Sequence, residues 1–198
     1  MKLKQLNLAM LLGGLAVGPS LWAAEAAPAA DSPRAIMLSN MCGGCHGTDG
    51  ASAGLTMPTI GGQSKRYITD AMKAFKTGEW PSTIMGRIAK GYSDDDAKLM
   101  ADFFSKKEFV RHEQAFDQAK VAKGRELHQE NCKKCHPDGG RTAKDGGVTG
   151  GQWGEYLQIT FKDYLDKKRP MTQKMAEKFH DLSKEDVDAL IQFYASQQ

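Results

Sequence analysis

The sequence predicts an all-α protein of two tandem domains related by internal duplication. Three observations lead there. A Cys-x-x-Cys-His motif occurs at Cys42–His46 and again at Cys132–His136, with the two copies 90 residues apart. A serine followed three residues later by aspartate opens an apolar pattern twice, at Ser93 and at Ser183, again 90 residues apart. Between these landmarks the apolar residues recur at helical spacing. The chain has 198 residues, 40% hydrophobic and 26% charged, which is enough for two small domains and too apolar for wholesale disorder. Its formal charge of +3 gives no reason to expect a nucleic-acid binder. Neither a P-loop nor a strand-borne glycine fingerprint for a dinucleotide is present.

Residues 1–27 read as a secretory signal. Lys2 and Lys4 form the basic start, Leu8 to Val17 the apolar middle, and Ala23 to Ala27 the small residues of a cleavage site. The apolar stretch is interrupted by Gly13 and Gly14 and falls well short of the ~20 residues a spanning helix needs. Export to the periplasm with cleavage is the expectation, and nothing downstream is long enough to span a bilayer. Without Lys2, Lys4 and Glu25 the chain keeps 25 basic and 23 acidic residues, a charge of about +2. The run Lys167, Lys168 and Arg169 reads as a solvated face.

The first domain is expected over residues 28–112 and the second over 113–198, with 108–118 as the linker. Each unit reads as a helix before the cysteine motif, a glycine-rich loop, a middle helix, a further loop and a capped terminal helix. In the middle, Gly61-Gly62-Gln63 with Tyr67 parallels Gly150-Gly151-Gln152 with Tyr156, an offset of 89. Tyr67, Ile68, Ala71, Met72 and Phe75 form one helical stripe; Tyr156, Leu157, Thr160, Phe161, Tyr164 and Leu165 form its counterpart. In the terminal helices Met100, Phe103 and Phe104 match Leu190, Phe193 and Tyr194. At about 80 residues each, such domains are small for independent stability.

All four cysteines lie in the two motifs. In an exported chain they could close two disulfides, act as redox pairs or hold zinc. None of these readings asks for a histidine directly after each pair. Covalent haem attachment does: two thiols on one helical turn each form a thioether to a vinyl group, and the next residue supplies the proximal imidazole. A bound haem also adds the apolar core that so small a domain lacks.

An electron-transfer haem usually has both axial positions filled, and a methionine thioether, being soft, favours ferrous iron. Met85 stands eight residues ahead of Ser93 and Met175 eight ahead of Ser183, so the two match across the repeat. Met171 competes with Met175, because Pro170-Met171 has the form of the pair found ahead of the iron in many small cytochromes. His180 has no histidine counterpart in the first unit, where Lys90 stands. Met37, Met41, Met57, Met72 and Met100 read as core packing, and His112 and His128 as surface residues.

The run from Ala74 through Trp80, Met85 and Lys90 to Ser93 resembles the dihaem cytochrome subunit of flavocytochrome c sulfide dehydrogenase. So do Gly151 to Leu157, Arg169-Pro170-Met171 with Met175 after it, and the ending Phe193 to Gln198. More distantly, the chain resembles the dihaem shuttle cytochromes of the c-four type. The resemblance implies two tandem class I cytochrome c domains with two covalently bound haem c groups. Cys42, Cys45, Cys132 and Cys135 would be the attachments, His46 and His136 the proximal ligands, and Met85 and Met175 the distal ones. It implies a heterodimer with a flavoprotein whose FAD oxidises sulfide, since this chain has no flavin fingerprint, and an external acceptor such as a small soluble cytochrome. Many single-haem relatives carry a proline whose carbonyl orients the proximal imidazole. Pro58 can serve in the first domain, and no proline stands in the matching stretch before Gly150.

The leading expectation is therefore an electron-transfer subunit in which no side chain acts as acid, base or nucleophile. A free-standing dihaem shuttle feeding a terminal oxidase is the alternative. A dihaem peroxidase would need an open iron position, which the matched methionines argue against.

Overall fold

The computed structural model describes residues 31–143 and 146–198; the signal read at 1–27 lies outside them. All regular structure among the described residues is helical. The first domain runs α1 (Pro33–Asn40), α2 (Gly43–His46), α3 (Lys65–Thr77), α4 (Met85–Ile88) and α5 (Asp94–Ser105). The second repeats the order with α6 (Gln118–Leu127), α7 (Gly154–Leu165), α8 (Gln173–Phe179) and α9 (Lys184–Ala195). There α6 runs into a π-turn over His128–Cys132, closed by the Lys133 amide donating to the His128 carbonyl at 2.8 Å, and the equivalent of α2 is a turn.

Local chemistry sets the helix ends. Ser32 caps α1, accepting from the Ala35 amide at 3.2 Å, with Pro33 in the first turn where its missing N–H costs nothing. Ser64 caps α3, which stops at Gly78 in the left-handed region, φ +80°. The two serine–aspartate signals are complete capping boxes. Ser93 Oγ accepts from the Asp96 amide at 3.1 Å and Ser183 Oγ from the Asp186 amide at 3.1 Å, and each aspartate accepts from its serine's backbone N–H.

Each box also anchors the first helix of its unit. Arg34 on α1 pairs with Asp96 at 2.6 Å, and Lys123 on α6 pairs with Asp186 at 2.6 Å. The Lys123 pairing and the two hydrogen bonds from Ser183 depress the Asp186 carboxyl to about 2. A depressed carboxylate stabilises the fold above its unfolded value near 4, and that contribution is lost as pH falls through about 2. Ser183→Ala should therefore cost about 1 kcal/mol at neutral pH. Denaturant unfolding should show the difference from wild type shrinking between pH 4 and pH 2.

In both units the first helix packs on the terminal helix and the middle helix lies beside it, giving two cores. Ile68, Met100, Ala101, Phe103 and Phe104 form the first, and Val121, Leu157, Phe161, Val187, Leu190, Phe193 and Tyr194 are part of the second. Of the stripes read from the sequence, Ile68 and Met72 reach the first core, and Leu157 and Phe161 with Tyr156, Tyr164 and Leu165 reach the second, while Tyr67 and Phe75 pack on Trp80. Where α6 meets α9, a Cβ on Gly124 would stand 2.0 Å from the Ala189 carbonyl oxygen, so only glycine permits the approach.

The domains meet across a pseudo-twofold interface made of repeat-equivalent residues. The Thr59 amide donates to Gln152 Oε1 at 2.9 Å, and Gln152 Nε2 donates back to the Thr59 carbonyl at 2.9 Å. At the equivalent place the Val148 amide donates to Gln63 Oε1 at 2.8 Å, and Gln63 Nε2 faces the Val148 carbonyl at 3.5 Å. Both glutamines are buried, so each side-chain amide takes up a backbone pair that water cannot reach. Trp153 Nε1 donates to the Ser52 carbonyl at 2.8 Å alongside.

Four expectations are corrected. Arg169 is not on a solvated face: it is 5% exposed. His128 is not on the surface either, being 0% exposed with Nδ1 3.1 Å from the Tyr194 hydroxyl; it occupies the place of Leu38 in the first unit. His112 is half-buried and stacked on Trp153, centroids 5.3 Å apart and 6° from parallel. Met37, Met41 and Met57 are exposed rather than core, whereas Met100 is buried as expected.

Candidate haem-binding site

Both cysteine motifs are single helical turns. The His46 amide donates to the Cys42 carbonyl at 2.9 Å and the His136 amide to the Cys132 carbonyl at 2.9 Å. One turn puts the two thiols of each motif on the same side and the histidine beneath them. All four cysteines are free thiols, with Cys45 and Cys135 exposed. Among the described residues no group of three or more His, Cys, Asp or Glu is placed to hold an ion, so the zinc reading finds no geometry.

The imidazoles are held from behind. His46 Nδ1–H donates to the Pro58 carbonyl at 2.8 Å, which fixes the ring and leaves Nε2 as the free electron pair. Burial lowers the His46 pKa, favouring the neutral, ligating form, with the Pro58 bond opposing. The equivalent of Pro58 is Gly147, whose carbonyl faces His136 but in looser geometry, since His136 Nδ1 lacks a full hydrogen bond. A proline there would force the Tyr67 ring of the first domain to shift. A Cβ on Gly147 would stand 2.9 Å from Tyr67 Cζ of the first domain.

Met85 opens α4 and Met175 lies in α8, both half-buried. Residues 81–90 and 171–180 share one burial pattern throughout. In that register Met175 occupies the place of Met85, Met171 that of Pro81, and His180 that of Lys90, both exposed. Met171 and Met175 both lie against the second core.

The domain interface adds a site that sequence reading missed. The Arg169 guanidinium lies over the Trp80 ring of the first domain, 3.6 Å from its centroid, and 5.4 Å from that of Tyr164. Trp80 in turn packs edge-on against Phe75 at 5.3 Å and beside Tyr67 at 6.1 Å. Burial works against the Arg169 charge, but Tyr156, Tyr164 and Tyr67 around it more than offset that and hold its pKa above the ordinary value. Burial pushes the Tyr67 hydroxyl well up, with Tyr156 adding to the effect. Tyr67 and Tyr156 are repeat equivalents meeting near the pseudo-twofold. Arg169 Nε has no partner among the described residues.

This arrangement fits haem c. A buried cation with an orphaned N–H calls for an anion, and haem brings two carboxylates. The free thiols, the neutral imidazoles and the half-buried thioethers complete the donor set. A lone arginine in a basic run carries no sequence signal of burial.

Residues 33–109 match the family described as cytochrome c, and residues 119–193 the family described as cytochrome c oxidase, cbb3-type, subunit III. The chain is 48% identical over 71 residues to the cytochrome subunit of sulfide dehydrogenase from Chlorobaculum tepidum, a match covering 36% of this chain and 64% of that protein. The match thus spans just under two thirds of that relative. It is 32% identical over 149 residues to cytochrome c4 of Azotobacter vinelandii, covering 65% of this chain and 70% of that one. Its fold is similar to that of reduced recombinant cytochrome c4 from Pseudomonas stutzeri, with a TM-score of 0.70 at 24% identity over 81% of this chain and 97% of that chain.

Proposed function

Because the chain belongs to the cytochrome c family, with two such domains in tandem, we propose that it is a periplasmic dihaem subunit serving an FAD-containing, sulfide-oxidising flavoprotein. It takes electrons from that partner and hands them singly to an external acceptor such as a small soluble cytochrome. The observation that carries this reading is the 48% identity to a sulfide dehydrogenase cytochrome subunit. A reduced flavin holds two electrons, and two one-electron domains match that count.

In this reading Cys42, Cys45, Cys132 and Cys135 tether two haem c groups, His46 and His136 ligate from one side, and Met85 and Met175 from the other. Arg169 binds haem carboxylate at the interface. Haem c, when bound, supplies an iron that cycles between ferrous and ferric. The protein's own part is to fix the ligands, exclude water and hold the two domains in register.

The rim of the first domain supports a lasting partner there. Met41 is 72% exposed, Ile84 45% and Ile88 41%, the sort of apolar surface that a stable interface covers. No helix of the described residues is long and apolar enough to cross a membrane.

The test is purification of the native complex through a tag on this chain. About one flavin per two haems, with haem reduction on adding sulfide, is the expected result. Haem without flavin, unreduced by sulfide, would favour the second reading: a free-standing shuttle of the cytochrome c4 type, which the 32% identity to that protein supports.

A further inference from the structure

The duplication provides an internal control, because the same scaffold position can be compared in two domains. Around the first motif stand Gly43 and Gly44, and on α4 stand Ile84 and Ile88, one residue before and three after Met85. Their equivalents at the 90-residue offset are Lys133, Lys134, Lys174 and Lys178. All four neutral positions have become lysine. The four lysines are exposed, and none has an ion-pair partner among the described residues. They belong to one rim, since α8, which carries Lys174 and Lys178, packs against the π-turn that leads into Lys133. The nearby acids, Glu130 and Glu177, are exposed and leave a positive excess.

The fold does not require Lys174 and Lys178, because the first domain forms the matching helix α4 with isoleucines in their places. Unpaired surface ammonium groups add almost nothing to stability. Two lysines inside an attachment motif and two beside the distal methionine concentrate positive potential where the second site reaches the surface. Potential of that kind steers encounters with oppositely charged partners and is used where binding must be brief. The first-domain rim is neutral at those four places and holds its cations elsewhere, at Arg87 and Lys90, where the second domain has Glu177 and His180.

We propose that the lysine-lined rim of the second domain is the docking surface for a soluble electron acceptor bearing an acidic patch around its redox centre. The apolar rim of the first domain is then left to the permanent partner. Each encounter passes one electron, leaving the second domain one electron more oxidised and the acceptor reduced by one. The proposal rests on the electron-transfer reading above, but not on the identity of the donor.

The test uses the full holoprotein, reduced with dithionite and desalted, mixed with mitochondrial cytochrome c in two forms. The native form is cationic and the succinylated form anionic. At low ionic strength the succinylated form should be reduced at least tenfold faster. The advantage should vanish towards 1 M salt, as the screening length shrinks to ~3 Å. Immobilised oxidised holoprotein should retain the succinylated form at low salt and release it at high salt. Lys174→Glu with Lys178→Glu, outside the attachment motif, should cut both rate and retention. Adding Lys133→Glu and Lys134→Glu should abolish them, with haem content checked by haemochrome absorbance. Equal rates for the two forms, a preference for the cationic form, or an unchanged Lys174/Lys178 variant would overturn the proposal. Since dithionite supplies the electrons, no flavoprotein takes part. A missing flavin in the native complex would remove the sulfide reading and leave this one standing, and the reverse also holds.

Discussion

Met175→Ala will abolish the methionine-ligated, low-spin spectrum of the second domain and leave that of the first intact, whereas Met171→Ala will leave both. The thioether-to-iron charge-transfer band and the reduced-minus-oxidised difference spectrum of the purified holoprotein report this directly. The physical ground is register. Met175 shares its burial and its place in the repeat with Met85, while Met171 stands where the first unit has Pro81, a residue with no donor atom to offer. Loss of a soft sixth ligand also removes a preference for the ferrous state, so the potential of that domain should fall. Loss of the band in Met171→Ala, with retention in Met175→Ala, would reverse the assignment.

On the proposed pairing of Arg169 with a haem carboxylate, Arg169→Gln should weaken the holoprotein by about 3–5 kcal/mol, the usual result of removing one partner from a buried charge pair and leaving the other uncompensated. Its effect is interdomain, because the guanidinium of the second domain lies 3.6 Å from the Trp80 centroid of the first. A cation close to haem carboxylate favours the more electron-rich state, so its removal should also lower a midpoint potential. Arg169→Lys should rescue little, since an ammonium cannot lie flat on the indole or present a planar fork. Thermal unfolding and redox titration of the same samples check the two effects. Unchanged potentials with lowered stability would reduce Arg169 to a packing residue.

Much of this protein was legible because its determinants are short-range and doubled. Ser93 and Ser183 with their aspartates announce two helix starts, since a capping box is chemistry within four residues. The motif histidines announce their role by following two cysteines on one turn. Periodicity likewise exposed the core faces of α3, α7 and α9. His128 escaped because a polar residue took a leucine's place, and nothing local shows that the Tyr194 hydroxyl, 66 residues away, would receive it. Met37, Met41 and Met57 were misread because an apolar methionine with no distinguishing neighbours looks the same in a core and on a surface.

The sequence by itself determined the two units, the attachment cysteines, the proximal histidines and the helices that carry them, because each depends on neighbours along the chain. Only the tertiary structure decided how the units face one another. Gly-Gly-Gln is a visible repeat, yet its glutamines are explained only when Gln63 and Gln152 reach across to backbone groups of the opposite domain. The same docking buries Arg169 against Trp80 and leaves glycine, not proline, behind His136, since a Cβ on Gly147 would collide with Tyr67. These contacts join residues about 80 to 90 positions apart. Propensity and periodicity act over one or two turns of helix, so they cannot encode such contacts in any local pattern.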